Sequence, residues 1–246
     1  KRFNVNNTNY IVTGAAGFIG SAMVLRLLKE GYNVLGLDNI NSYYDIKLKI
    51  DRLKNIDKES KEFFGKWNFI KCDISHKENI NDIFNTFKPN VVINLAAQAG
   101  VRYSIKNPSI YLESNILGFN NILEASVKNN VSNFIYASSS SVYGGNTNIP
   151  YVENDSVDHP LSIYAASKKA NELIAHSYSN VYGLSVTGLR FFTVYGPWGR
   201  PDMAPMIFTQ SILNNEKIKV FNYGNMMRDF TFIDDIVEGI YLCCNK

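Results

Sequence analysis

The chain has few of the residues that build metal or disulfide centres. Among its 246 residues there are three cysteines, Cys72, Cys243 and Cys244. An odd count with no C-x-x-C pair argues against a disulfide framework and a thiolate zinc site, and free thiols suit a reducing cytoplasm. The three histidines, His76, His159 and His176, are scattered without ligand spacing, so no metal is expected. No apolar run approaches the roughly 20 residues that span a bilayer. The start, Lys1 to Tyr10, is polar and Asn-rich, with no signal-peptide core. A net charge of only +3, with no basic run interleaved with aromatics, sets aside nucleic acid and membrane as partners.

What remains is a globular composition, 46% hydrophobic and 19% charged, long enough for one large domain or one domain and part of a second. Short apolar runs alternate with helical patterns. Tyr10–Thr13, Val34–Leu37, Phe69–Lys71, Val91–Leu95, Asn133–Ala137 and Ser185–Arg190 read as strands. Ile19–Lys29, Ile80–Phe87, Ser109–Lys128 and Tyr164–Tyr182 read as helices. This alternation predicts an α/β fold, a doubly wound parallel sheet covered on both faces, with ligands at the carboxyl ends of its strands. After Phe191 the pattern changes. A turn-rich loop, Gly196 to Pro201, precedes a helix over Met206–Leu213, a strand over Ile218–Asn222 and a helix over Asp234–Cys243. The expected division is a dinucleotide-binding domain over 1–190 and a smaller, incomplete substrate-binding part over 191–246.

Thr13-Gly14-Ala15-Ala16-Gly17-Phe18-Ile19-Gly20 lies between the first strand and the first helix. Glycines at this spacing allow a tight turn and close approach of backbone to a pyrophosphate, which the helix N-terminus at Phe18 and Ile19 then attracts. The same spacing also occurs as an ordinary glycine turn, so its context matters. Asp38, followed by Asn39, ends the second strand. A carboxylate there accepts the adenosine ribose hydroxyls and repels a 2′-phosphate, which favours NAD over NADP. Asp73 and Ile74 follow another strand and are placed beside the adenine. The small residues Ala96 and Ala97 end the Val91 strand and let the cofactor lie against backbone. Asn115 is a further cofactor candidate, although Asn at such positions is more often a cap.

Tyr164 and Lys168 stand four apart, on one helix face. A nearby ammonium and a positive nicotinamide ring both favour the phenolate that a general base requires. Ser138-Ser139-Ser140-Ser141-Val142-Tyr143-Gly144 follows another strand end and places hydroxyls near the same pocket. Each motif alone occurs by chance. Together with Met227-Arg228-Asp229-Phe230-Thr231, in this order and at about this spacing, they resemble the extended short-chain dehydrogenase/reductase family, its NAD-dependent epimerases and dehydratases. Ala99 to Ser104, with Arg102, and Leu189 to Ala204, with Thr193, Arg200 and Met203, are most similar to its UDP-glucuronate 4-epimerases.

The resemblance implies a Rossmann-type fold, NAD, Tyr164 as general base with Lys168 as its partner, and Ser139 or Ser141 as the contact to the sugar hydroxyl. It implies C4 epimerisation of a UDP-sugar through a 4-keto intermediate, UDP-glucuronate to UDP-galacturonate, in polysaccharide biosynthesis. Arg228 matches the family's diphosphate ligand, Arg200 is placed on the diphosphate or a carboxylate, and Lys219 to Phe221 resembles the segment framing the uracil. The family pairing implies a homodimer through the helices Ser109–Lys128 and Tyr164–Tyr182. Relatives that dehydrate or decarboxylate carry an acidic residue in the serine loop. This chain has none from Ser138 to Gly144. A decarboxylase, a 4,6-dehydratase and a catalytically silent NAD-binding regulator are the alternatives.

Overall fold

In a computed structural model, which describes residues 8–244, the apolar runs form six parallel strands. They are β1 (Asn9–Thr13), β2 (Asn33–Asp38), β3 (Lys66–Lys71), β4 (Val91–Asn94), β5 (Asn133–Ala137) and β6 (Val186–Leu189). Their order is β3-β2-β1-β4-β5-β6, the doubly wound Rossmann arrangement. Strand side chains alternate between two cores because the pleat has period two. Tyr10 and Val12, Val91 and Ile93, and Ile135 enter one core; Ile11, Val92, Phe134 and Tyr136 enter the other.

Helices cover both faces. The first core is closed by α1 (Phe18–Lys29) and by Leu53 and Ile56 of α2 (Ile46–Glu59). The second is closed by α3 (Lys77–Phe87) and by the rod that follows α4 (Val101–Lys106). That rod begins as α5 (Ser109–Tyr111), widens into a π-helical stretch (Leu112–Gly118) and continues as α6 (Phe119–Lys128). The expected helix over 109–128 is thus continuous but not uniform, and Asn115 lies in the widened part. The long helix α7 (Ile163–Tyr182) begins at Ser162, whose hydroxyl accepts from the Ala165 amide (3.0 Å), and ends at Gly183 in the left-handed conformation (φ 70°). These are ordinary start and stop devices.

Beyond β6 the chain forms β7 (Thr193–Tyr195), α8 (Ala204–Leu213), β8 (Phe230–Phe232) and α9 (Ile233–Cys244). β7 and β8 pair in parallel with Thr193 opposite Phe230, which brings the turn-rich loop to the Arg228 segment. α9 returns to α1: Val237, Ile240 and Cys244 join the core of Met23 and Leu27. The expected strand over Ile218–Asn222 does not form. A lone strand needs a ladder partner, and among the described residues none lies beside this stretch, which passes into a short 3₁₀ turn (Asn222–Gly224). Among the described residues no helix is long and apolar enough to cross a membrane.

Phe134 on β5 is fully buried, with its ring 5.9 Å edge-on to Phe119. Phe134→Ala should lower the unfolding free energy by about 3–5 kcal/mol in urea titration, against a near-neutral Ile105→Ala on the exposed surface.

Candidate active site

The carboxyl ends of β1, β2, β4 and β5 converge on one crevice, because the strand order reverses between β1 and β4. Thr13 pins that point: its hydroxyl donates to Asn94 Oδ1 (2.7 Å) and accepts from the Ala96 amide (3.1 Å). Gly14 adopts φ 71°, and a side chain there would lie 2.8 Å from Ala96 N. Side chains at Gly17 and Gly20 would lie 2.9 and 2.0 Å from the Gly14 carbonyl oxygen. The turn therefore exists only without side chains at these three positions. The first turn of α1 carries no acidic residue and no side-chain cap, so its amides and positive dipole end suit a pyrophosphate.

Asp38 ends β2 and accepts from the Ala16 amide at Oδ2 (3.1 Å) and the Ile40 amide at Oδ1 (2.8 Å). A carboxylate has about four acceptor positions, so lone pairs remain for two ribose hydroxyls. Burial pushes its carboxyl above the ordinary range, against the pull of those amides, Lys49 and Arg52. Asn39 donates to Asp73 Oδ2 (2.6 Å), joining two expected cofactor residues across neighbouring strand ends. Burial raises the Asp73 carboxyl, but bonds from Asn39 and Ser75 outweigh it and hold the group low. Ile74 is buried, and Ala96 and Ala97 are half-buried at the end of β4. These features fit a nicotinamide dinucleotide.

Asn115 is held by protein at both ends of its side-chain amide. It accepts from the Gln98 amide (2.8 Å) and donates to the Gln98 carbonyl and the Ser167 hydroxyl (both 3.0 Å). The widened helix thus ties the end of β4 to α7 next to Tyr164, and π-helical stretches of this kind gather at functional sites.

On α7, Tyr164 faces the Ser139 hydroxyl, and Arg200 lies within electrostatic reach. Tyr111 packs edge-on against its ring (6.1 Å) while donating to the Ala99 and Gly100 carbonyls. Ser139 accepts from the Ser141 amide (3.1 Å), which shapes the serine loop as a 3₁₀ turn. Lys168 is buried, and its ammonium donates to the Ala137 carbonyl (2.9 Å). Burial alone pushes it down to about 8. Burial also raises the Tyr164 phenol, against the lowering effects of Ser139 and Arg200.

The structure therefore gathers Tyr164, Ser139 and Arg200 in the crevice. A second group lies toward its rim: Arg102 stacks over the Phe221 ring at 4.4 Å. Thr193 opens β7, and Met203 precedes α8 beside Arg200 in a cavity lined by Val194, Gly199 and Met206. Lys219 and Arg228 are exposed, the latter donating to the Met227 carbonyl (2.7 Å).

Sequence reasoning missed the supports of this site. Glu172 accepts from Ser138 (2.6 Å) and is held in a fork by Arg190 at 2.9 Å on both oxygens. Burial raises its carboxyl, but Arg190 and Ser138 reverse the shift. Its spacing, eight after Tyr164 on the same helix face, was the available signal. Asp202 was also missed. It forks Arg200 (3.0 and 2.5 Å) and accepts from the Tyr43 hydroxyl (3.0 Å). Arg200 stands only two before it, but no local pattern links Tyr43 to Asp202 across 159 positions.

Comparison with known proteins identifies the family. The profile of the NAD dependent epimerase/dehydratase family matches residues 10–246. Protein CapI of Staphylococcus aureus is 57% identical over 230 residues, covering 94% of this chain and 67% of that protein. UDP-glucuronate 4-epimerase 4 of Arabidopsis thaliana is 50% identical over 238 residues, covering 95% of this chain and 53% of the plant protein, so the chain spans about half its length. The crystal structure of a UDP-glucuronic acid 4-epimerase from Bacillus cereus, in complex with UDP-glucuronic acid and NAD, superposes with a TM-score of 0.88 at 34% identity, covering 97% of this chain and 74% of that one.

The two shifts on α7 make one expectation concrete. Without cofactor, the Tyr164 phenol should titrate above the ordinary value of 10.0. Bound NAD, with its positive ring, should bring it down. Ultraviolet difference titration of wild type against Tyr164→Phe, with and without NAD, reads this. A phenol transition that NAD does not move would contradict it.

Proposed function

The chain belongs to the NAD-dependent epimerase/dehydratase family, and from that premise we propose that it inverts C4 of a UDP-sugar, converting UDP-glucuronate to UDP-galacturonate. One observation carries the reading. Tyr164 faces the Ser139 hydroxyl with the Arg200 guanidinium within electrostatic reach, while the loop from Ser138 to Gly144 holds no carboxylate to expel a leaving group. The carboxylate behind that loop, Glu172, is locked by Arg190.

Gly14, Gly17, Gly20, Asp38, Asn39 and Asp73 would hold NAD. When bound, it supplies reversible oxidation of the sugar at C4. Tyr164 takes the proton of the 4-hydroxyl and later returns it, with Ser139 orienting that oxygen. Lys168, fixed on the Ala137 carbonyl, supports the phenolate. Arg228 holds the diphosphate, and Phe221 with Arg102 frames the uracil. The 4-keto uronate is a β-keto acid, and it loses carbon dioxide when the breaking C–C bond stands perpendicular to the carbonyl plane. Ser141 and Thr193 hold the carboxylate away from that geometry.

The reading is tested by incubating UDP-glucuronate with the purified protein, without added NAD, and resolving the products. UDP-galacturonate should form. Tyr164→Phe should cut turnover by roughly 10²–10⁴ with UDP binding little changed. Ser141→Ala should slow turnover mildly and release some UDP-pentose. Pentose or a stable keto sugar as the main wild-type product would replace the epimerase with a decarboxylase or dehydratase.

We also propose a cytoplasmic homodimer. Leu112 and Leu117 on the rod, and Leu173, Val181 and Tyr182 on α7, are at least half exposed, more apolar surface than these two helices need for the sheet. Sedimentation at micromolar concentration should give a dimer, and Leu117→Glu should shift it to monomer.

A further inference from the structure

Arg52 on α2 has almost no solvent exposure, at 1%, and among the described residues it makes no ion pair. A buried guanidinium is costly unless its donors are all satisfied. Here each of the five N–H groups has an acceptor. Nε and Nη2 donate to the Trp198 carbonyl (3.2 and 2.6 Å), and Nη2 also reaches the Gly199 carbonyl (3.4 Å). Nη1 donates to the Ala16 carbonyl (3.1 Å) and the Tyr44 hydroxyl (2.6 Å). These acceptors come from separate loops. Ala16 lies in the glycine turn of the cofactor seat, and Trp198 and Gly199 immediately precede Arg200.

The loop so held does not stand by itself. Trp198 sits at φ 64°, in the left-handed region that disfavours a bulky side chain. A second tie reaches the same loop from the same segment: Tyr43 donates to Asp202, which forks Arg200. Tyr43 and Arg52 both follow Asp38, the residue placed on the cofactor ribose. The cofactor seat and the loop that presents Arg200 to Tyr164 are therefore joined at two points through residues 43–52.

We propose that Arg52 is a positioning residue that clamps the 196–202 loop to the glycine turn, so that the cofactor seat sets the place of Arg200 against Tyr164. The inference deepens the epimerase reading and rests on it for its effect on turnover, but not for the clamp itself.

Hydrogen exchange of the NAD-loaded protein, read by mass spectrometry, tests the clamp without turnover. In Arg52→Met, amides of 196–203 should exchange faster by on the order of tenfold, while those of α1 keep the wild-type rate. NAD content should stay stoichiometric, and kcat per NAD-loaded site should fall about 10- to 100-fold, more than KM rises. Arg52→Lys keeps the charge but not the planar fork and should recover only part of the loss. If Arg52→Met does not fold, Tyr43→Phe is read in its place. It should quicken exchange around Arg200 and lower kcat less. Unchanged loop exchange in whichever variant is read, or faster exchange with unchanged kcat, would overturn the proposal. A quickened loop in a protein whose wild type turns over no UDP-sugar would uphold the clamp and sink the epimerase reading.

Discussion

The close approach of backbone to backbone in the turn after β1 sets the remaining geometry. Gly20 lies so near the Gly14 carbonyl that a methyl group there would sit 2.0 Å from the oxygen, and Gly14 itself rests on the backbone at the end of β4. That contact fixes where α1 starts and how its N-terminus points. It also places Ala16 so that its amide meets Asp38 and its carbonyl meets Arg52. The proposed pyrophosphate seat, ribose carboxylate and loop clamp thus all depend on one turn that tolerates no side chain at its three glycines.

Around that turn several charged groups are withdrawn from water. Arg52 and Lys168 are buried, Asp38 and Glu172 half-buried, and all four are hydrogen-bonded. Asp38 is held by amides, Arg52 by carbonyls, Lys168 by one carbonyl and Glu172 by a guanidinium fork. Burial pushes Lys168 down to about 8 and Tyr164 up, so the protein alone favours the neutral phenol. On the proposed function, a positive nicotinamide ring entering the crevice lowers that phenol and ties proton removal to the presence of the oxidant.

The parts legible in the sequence are local. Strand ends and helix starts show as local apolar runs, so Thr13 to Gly20, Asp38, Ser138 to Gly144 and Tyr164 to Lys168 could be placed at element ends, and the family resemblance set them on one crevice. What was hidden follows from range or polarity. Arg52 meets Trp198 across 146 positions and Tyr43 meets Asp202 across 159, and no period spans such gaps. α2 is rich in lysine and aspartate, so its apolar stripe is faint. The π-helical stretch around Asn115 differs from a normal helix by too little, over seven residues, to alter a hydrophobic pattern. The Ile218–Asn222 stretch has strand composition but no neighbour, and composition alone does not supply a ladder.

The central claim is that one enclosed site at the strand ends both oxidises and re-reduces C4 of the sugar, with Tyr164 moving only the hydroxyl proton. UDP-glucuronate deuterated at C4, turned over in ordinary water and followed by nuclear magnetic resonance, tests it most directly. The account predicts UDP-galacturonate that keeps its deuterium at C4 and takes up none of the solvent's hydrogen there. Loss of the label to water during turnover would mean that C4 is inverted by deprotonation, and it would contradict the account.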